Sequence, residues 1–284
     1  MKKTHLAFDG ALKPYIRYCT LKTIAVKEGA PVRNKTQADP WPSFVISLGP
    51  AIHLAGPDGG STLPKAAAFG AGETPGEVEF RPGHRHLTFS FFPGKAHPFF
   101  GSSLREFTDR AVPLSECWGQ EGRILEERIQ EFSSPAQVKA VIEAELLRRL
   151  NLFEGYPAAV QASLQVGLGS KGRASVGALA AAGGCSPAHL KRLFTQWVGL
   201  TPKVFARIIR FQALCDALSP AEKPNWAGLS YDFGYSHQSP LIRDFQDFAG
   251  ESPLRFYESV VIPASLPNSP LKAFQPDPTP FHAH

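Results

Sequence analysis

The first part of the chain alternates short apolar runs with turn signals. Residues 44–48 and 87–92 are two such runs, and stretches that contain Gly and Pro, such as 81–83, separate them. Short apolar runs with frequent turns are typical of strands in a β-sandwich or barrel. The pattern therefore predicts a β-rich region that extends to about Leu114.

The spacing of apolar residues becomes helical in the segment 119–150. Ile, Leu, Val and Phe recur there at steps of three and four among Glu and Arg, with Ser-Ser-Pro interrupting the pattern at 133–135. This predicts two amphipathic helices, one on each side of the interruption. From residue 157 onward, short helical segments are divided by Gly and Pro, and the Pro-rich stretch 263–284 predicts a loose tail.

The helical region contains an internal repeat. Residues 194–205 recur fifty-one positions later as residues 245–256, with Phe, Gly and Pro at matching places. Ahead of each copy, at 179–190 and 229–241, lies a short helical segment, then a glycine turn, then the start of a new helix. The repeat therefore predicts two consecutive helix-turn-helix units.

The second helix of the first unit has a strong start signal, because Ser186 is a favourable N-cap and Pro187 suits the first helical position. Leu190, Phe194 and Trp197 follow at steps of four and three, which places them on the inward face. The outward face is small, polar and basic. It consists of Ala188, Lys191, Arg192 and Thr195.

The second helix of the second unit has the same two faces. Its inward stripe is Leu241, Phe245 and Phe248, and its outward residues are Gln238, Ser239 and Arg243. Side chains of these types hydrogen-bond to base edges and to phosphates. The aromatic residues at inward spacing are predicted to belong to the core rather than to stack on bases.

Charge is distributed unevenly over the two units. Residues 171–210 contain seven basic residues and no acidic one, whereas residues 216–258 contain three basic and seven acidic residues. A bound polyanion would therefore be held mainly by the first segment. The net charge of +5 permits such a partner without identifying it.

The composition is that of a soluble globular protein. With 43% hydrophobic and 19% charged residues in 284, it excludes a disordered chain or a rod and favours two domains. No apolar stretch approaches the length of a membrane span and the first residues lack the apolar segment of a signal peptide, so we expect a cytoplasmic protein without a membrane partner. The four cysteines form no CxxC pair, so we expect reduced thiols.

Two further features complete the pattern of the helical region. Gly-x-Thr/Ser-Pro follows each second helix, at 199–202 and 250–253, and Arg207-Ile-Ile-Arg210 lies in the joining helix. With these features, residues 158–259 resemble the DNA-binding domain of AraC-type transcriptional regulators. The resemblance implies a bacterial, sequence-specific transcription factor whose two recognition helices read successive major grooves of double-stranded DNA.

The resemblance assigns roles to residues by their position in the family motif. Among the outward residues named above, Arg192 suits bidentate readout of guanine and Lys191 suits a phosphate contact. The first reading face is Ala188, Lys191, Arg192 and Thr195, and the second is Gln238, Ser239 and Arg243. Three further cations are either phosphate contacts or ordinary helix charge: Lys203, Arg207 and Arg210.

The second unit departs from the family pattern. His237 stands where an Asp commonly caps the helix, and Pro240 in the first turn is tolerated if His237 is the cap. Asp247 replaces a usual basic residue and, with Asp244, gives this helix an unfavourable charge toward phosphate. We therefore expect the first unit to contribute more of the DNA contact.

The front half resembles, on motifs such as 12–18 and 97–101, the amino-terminal domain in a subgroup of these regulators. That resemblance implies a small β-barrel or sandwich that senses a small-molecule effector or holds a homodimer together. The expected fold is α+β with two domains. A β-rich domain with two helices at its end spans residues 1–151, and an all-helical domain with two helix-turn-helix units spans 152–262, before the tail.

A cupin-like enzyme that binds a metal or a small molecule is the main alternative for the β-rich part. His84 and His86 form a His-x-His pair that a strand would place on one face, and His97 and His53 lie elsewhere in this part. No Glu follows within ten residues, and the chain has no Gly-x-Ser-x-Gly, phosphate-binding glycine loop or GxGxxG. We therefore expect no enzyme activity, metal or cofactor. A second alternative is a helical module whose basic face binds an acidic protein.

Overall fold

The computed structural model describes residues 2–24, 31–55, 60–129, 131–132 and 134–261. A β-rich part comes first in the chain and a helical part follows, in the order that the sequence pattern predicts. The predicted loose tail at 263–284 lies outside the described residues. Among the helices that are described, none is both long enough and apolar enough to cross a bilayer.

The β-rich part consists of two antiparallel sheets. The strands are β1 (Lys2–His5), β2 (Ile16–Thr23), β3 (Val32–Thr36), β4 (Ser43–Ser47), β5 (Ile52–Leu54), β6 (Ser61–Thr62), β7 (Ala66–Phe69), β8 (Gly76–Phe80), β9 (Arg85–Phe91) and β10 (Ala111–Pro113). One sheet has the order β1-β2-β9-β4-β7-β10 and the other has the order β3-β8-β5-β6. Within the described strands, the two sheets form an open sandwich and not a closed barrel.

The six-stranded sheet has one apolar and one polar face. Its apolar face carries Phe44, Phe89 and Phe91, which are fully buried against helices of the same part. On the other face, Lys22 pairs with His86 across β2 and β9. The ring of His86 stacks on Phe80 of the four-stranded sheet, with ring centroids 5.7 Å apart. The polar face therefore points toward the second sheet.

The described residues of the β-rich part also form four α-helices, α1 (His97–Phe100), α2 (Leu114–Trp118), α3 (Gln120–Ile129) and α4 (Pro135–Asn151), and two 3₁₀ helices, Gly10–Leu12 and Leu104–Phe107. The prediction of two amphipathic helices is confirmed by α3 and α4. A capping box starts α4, because the Ser134 side chain accepts from the Gln137 backbone N–H and the Gln137 side chain accepts from the Ser134 backbone N–H. Its buried stripe packs against the apolar face of the six-stranded sheet.

The helical part consists of α5 (Ala158–Gly169), α6 (Val176–Ala182), α7 (Pro187–Trp197), α8 (Pro202–Ala217), α9 (Trp226–Asp232), α10 (Gln238–Ala249) and α11 (Pro253–Phe256), followed by a π-helical turn at Tyr257–Val261. The predicted units are α6 with α7 and α9 with α10, and α8 joins them. One hydrophobic core runs through both units and α8. The repeated glycines Gly199 and Gly250 follow α7 and α10 with φ of +85° and +72°, conformations that glycine adopts without strain.

The inward aromatic residues occupy the core, with one difference. Phe194, Phe245 and Phe248 are buried as predicted. Trp197 is only half-buried, and its ring stacks on His97 of the β-rich part with centroids 3.9 Å apart. Helical spacing gave the direction of this side chain correctly but not its main partner, since the inward face of α7 extends beyond its own unit.

Candidate nucleic-acid interface

Helix α7 presents the outward face that its sequence predicts. The Ser186 hydroxyl accepts a hydrogen bond from the His189 backbone N–H at 3.2 Å, which fixes the helix start. Ala188, Lys191 and Arg192 are exposed. Thr195 is half-buried, and an Arg192 guanidinium nitrogen lies 3.3 Å from His189 Nδ1, one turn earlier. Two cations are therefore available to an external ligand on this face.

Helix α10 begins at the residue expected to cap it. His237 is the N-cap, and its Nδ1 accepts from the Ser239 backbone N–H at 3.3 Å. Pro240 then lies in the first turn, where a backbone N–H has no partner within the helix, so the proline removes no bond of the ladder. Gln238, Ser239 and Arg243 are all exposed.

A buried ion pair connects α10 to the joining helix α8. Arg207 Nε and Nη2 donate to Asp244 Oδ1 at 2.9 and 2.6 Å, and Nη2 also donates to Asp247 Oδ2 at 2.6 Å. Asp244 is only 2% exposed. Burial alone would lower the pKa of Arg207, but the hydrogen bonds to the two carboxylates raise it above its usual value. The pair therefore stays charged.

Two more residues complete the surroundings of Asp244. The Tyr235 hydroxyl donates to Asp244 Oδ2 at 3.0 Å. Burial and the nearby carboxylate raise the pKa of Tyr235, so the hydroxyl remains a donor. Arg210 lies over the ring of Tyr235, and its Nη2 is 3.9 Å from Asp244 Oδ2. Both oxygens of this carboxylate therefore have partners within the helical part.

These contacts change the expected roles of several charged residues. Arg207 and Arg210 are half-buried and are engaged with Asp244, whereas Lys203 is exposed and remains the best phosphate candidate of the three. The charge of the acidic pair of α10 is also partly compensated, because Arg207 contacts both Asp244 and Asp247 and Arg210 lies 3.9 Å from Asp244. The expected unfavourable charge of this helix toward phosphate is therefore much reduced.

Sequence reasoning missed Asp244 as a structural residue. The internal repeat aligns it with Leu193, so a carboxylate occupies a position where the first unit has an apolar side chain. An acidic residue at an inward position of an amphipathic helix was the available signal, since a buried carboxylate requires a partner. The partner itself lies thirty-seven residues away in sequence.

The β-rich part contacts the chain just after α7 and at the end of α10. The Thr108 hydroxyl donates to the carbonyl oxygen of Gly199 at 2.8 Å. The Ala38 backbone N–H donates to the carbonyl oxygen of Phe248 at 2.9 Å, and Gln212 on α8 donates to the Ala38 carbonyl at 3.3 Å. Phe248 lies in the last turn of α10, where carbonyl groups lack partners within the helix, so its contact with Ala38 satisfies a group that would otherwise need water.

A groove separates the reading face of α7 from the β-rich part. It has a volume of about 450 Å³, and Ser103 lines its far side. The α7 residues that line it are Ala188, Lys191, Arg192, Thr195 and Gln196. All four residues predicted for the first reading face therefore open onto one space that the β-rich part borders.

The four histidines considered as metal ligands either have separate surroundings or contact each other. His84 Nε2 lies 3.0 Å from His86 Nδ1, and both rings are buried. His53 Nδ1 lies 3.0 Å from the Thr62 hydroxyl, and His97 stacks on Trp197. Among the residues that the structure describes, no group of three or more His, Cys, Asp or Glu side chains could hold a metal ion.

The fold and the exposed faces together define a DNA-binding domain with two helix-turn-helix units. Residues 179–259 match a family model described as a helix-turn-helix domain. The match extends from α6 to the turn after α11 and so includes both units. No curated protein matches the chain.

Solved structures of ToxT from Vibrio cholerae are similar to the chain at 9% sequence identity. The 1.65 Å structure covers 83% of this chain and 97% of ToxT with a TM-score of 0.44. ToxT bound to (E)-4-(8-methylnaphthalen-1-yl)but-3-enoic acid gives the same coverage and TM-score. ToxT with a bound unsaturated fatty acid covers 82% of this chain and 96% of ToxT, with a TM-score of 0.39.

Proposed function

We propose that the protein is a sequence-specific regulator of transcription whose helices α7 and α10 enter successive major grooves of duplex DNA. The observation that carries this proposal is that each second helix of the matched domain buries an apolar stripe and exposes the polar residues at its reading positions. Since its target is duplex DNA, we expect the protein to act in the bacterial cytoplasm.

The roles of individual residues follow from their chemistry and exposure. The guanidinium of Arg192 forms bidentate hydrogen bonds with guanine, and Lys191 and Lys203 contact phosphates. Ala188 and Thr195 are small side chains that allow α7 to lie close to the bases of the major groove. On α10, Gln238, Ser239 and Arg243 read the second half-site. Arg207 and Arg210 serve indirectly, since they hold α10 against α8 through Asp244.

The proposal includes modulation of DNA binding by the β-rich domain, with domain limits of 1–151 and 152–262. Ser103 borders the groove on the reading face of α7, so a duplex on that face would share the space with it. The hydrogen bonds from Thr108 to Gly199 and from Ala38 to Phe248 hold the β-rich part, and therefore Ser103, in this position. A small-molecule effector or a second copy of the chain that shifts these contacts would change access to α7.

The first experiment selects bound fragments from random duplex DNA with the full chain and then titrates the selected duplex at several salt concentrations. We expect one enriched sequence and a linear fall of log affinity with log salt, with a slope of about −0.9 for each phosphate contact. A module that binds an acidic protein would enrich no sequence. Failure to enrich a sequence would contradict the proposal.

The second experiment tests the modulation. Thr108→Val keeps the shape of the side chain and removes the hydroxyl that donates to Gly199. Because this loosens the border of the groove, we expect tighter binding to the selected duplex. Thr62→Val, in the four-stranded sheet, is the matched control and should leave the affinity unchanged. Equal affinities of wild type and Thr108→Val would argue against modulation through this contact.

A further inference from the structure

An exposed isoleucine interrupts the polar surface of the second recognition helix. Ile242 on α10 is 38% exposed, whereas the neighbouring apolar residues Leu241 and Phe245 are fully buried. The core of the unit is therefore complete without this side chain. A single exposed apolar residue is common on protein surfaces, so the position of Ile242 on the helix decides whether it has a role.

The internal repeat places Ile242 on the reading face. With the offset of fifty-one residues, Ile242 corresponds to Lys191, and the whole first reading face corresponds to Ser239, Ile242, Arg243 and Gln246. All four of these residues are exposed on α10. Only Arg192 and Arg243 are identical, and at the position of Lys191 and Ile242 the first helix carries an ammonium group whereas the second carries an aliphatic side chain.

The major groove offers one apolar group to such a side chain. Base edges there present hydrogen-bond donors and acceptors, and only thymine adds a C5 methyl group. Ile242 can neither donate nor accept a hydrogen bond, so it distinguishes bases only through this methyl. We propose that Ile242 is a specificity-determining residue that contacts a thymine methyl in the second half-site. This inference rests on the proposed function.

The restricted conformation of the Ile242 side chain and the fixed position of α10 both favour this contact. A β-branched side chain in a helix has one strongly preferred rotamer, so little freedom is lost when a methyl group packs against it. The helix is held to α8 by the buried pair of Asp244 and Arg207, and Asp244 is only two residues from Ile242. Arg243, next to Ile242 on the exposed side, binds an adjacent base or phosphate and keeps the register.

The test replaces thymine by deoxyuridine, which removes only the methyl group. Each thymine of the second half-site in the selected duplex is replaced in turn, and affinities are measured for the full-length wild type, Ile242→Ala and Ile242→Val. We expect one replacement to weaken wild-type binding about four-fold, the effect of burying one methyl-sized group. Ile242→Ala should bind the two duplexes equally, and Ile242→Val should keep part of the preference.

Lys191→Ala is the matched control, because it alters the corresponding position of α7. It should weaken binding to both duplexes and leave the thymine preference of the second half-site intact. The proposal is overturned if wild type binds every deoxyuridine duplex as tightly as its thymine counterpart, if Ile242→Ala keeps the full preference, or if the second half-site contains no thymine. In each case specific binding persists, whereas failure of the proposed function would leave no selected duplex to compare.

Discussion

Arg207 and Asp244 form a charged pair across the interface of α8 and α10, with two hydrogen bonds of 2.9 and 2.6 Å to one carboxylate oxygen. The two residues differ in burial, since the Arg207 side chain is 25% exposed and the Asp244 side chain only 4%. Loss of the Arg207 side chain would therefore leave a buried carboxylate without its main partner. Loss of the Asp244 carboxylate would leave a cation that still has access to water. The orientation of the second recognition helix depends on this pair.

Arg207→Met is expected to lower the free energy of unfolding by about 3 kcal/mol, because a buried charge loses its main partner. Asp244→Asn should cost less, since the arginine left behind reaches water and Asp247. The matched control is Asp247→Asn at the exposed end of the same cluster, with an expected cost below about 1 kcal/mol. Denaturant unfolding of the three variants gives the order, and equal losses for Arg207→Met and Asp247→Asn would show that the pair is not structural.

Arg192→Ala is expected to weaken binding to the selected duplex by about 1–3 kcal/mol and to relax the base preference at one position. Lys191→Ala should instead weaken all sequences to a similar extent and reduce the salt slope by about one. Arg255→Ala, an exposed residue of α11, serves as the charge-matched control. If Arg192→Ala binds the selected duplex like wild type, α7 does not read bases through this residue.

The features that sequence predicts well here are local. The caps Ser186 and His237, the inward stripes and the two glycines after α7 and α10 all follow from residues within a few positions of each other. The internal repeat supports each of these predictions, because few folds are compatible with two copies of this pattern. Helical spacing also predicted which side chains of α7 and α10 point outward, and all of them except the half-buried Thr195 are exposed.

The features that sequence could not predict are contacts between distant residues. Thr108 and Gly199 lie ninety-one positions apart, and nothing near either residue indicates the other. Strand order is of the same kind, since turn signals show that strands exist but not which of them pair. Trp197 shows the limit of periodicity. Its spacing predicts the direction of the side chain, but it does not predict that the ring stacks on His97 of the β-rich part.

Gly199→Ala is expected to loosen the contact between the β-rich part and α7. A Cβ at this position would lie 2.9 Å from the Leu104 carbonyl oxygen and 3.0 Å from Thr108 Oγ1, and its φ of +85° disfavours any other residue. Gly184→Ala is the matched control, because Gly184 also has a positive φ, +60°, but nothing lies within 4 Å of its Cβ position. Backbone strain of about 1 kcal/mol applies to both variants.

Only Gly199→Ala should therefore lose additional stability and show faster amide hydrogen exchange at 103–108. Both variants are measured by thermal unfolding and by hydrogen exchange with the full chain. If the two variants behaved alike in exchange, the domain contact would not depend on the close approach at Gly199.

The buried pair of His84 and His86 predicts a loss of stability in mild acid. Burial lowers the pKa of His86 well below its ordinary value of 6.5, and Lys22 and His84 add to the shift. The unfolded chain takes up a proton as the pH falls through about 6.5, but the folded state resists protonation. This contribution to stability is thus complete above that pH and decreases below it, by at most about 1.4 kcal/mol per pH unit for each such histidine.

Unfolding free energies at pH 7.5 and 5.5 test this prediction. His86→Gln is neutral at both values and should reduce the acid loss relative to wild type, and His97→Gln, at the contact with Trp197, should leave the His86 contribution in place. Because His86→Gln could also disturb the packing on Phe80, the imidazole of His86 in the wild type is followed by NMR over the same range, where we expect no titration. A His86 resonance that titrates near pH 6.5 would show that the ring is open to water and that the acid sensitivity has another source.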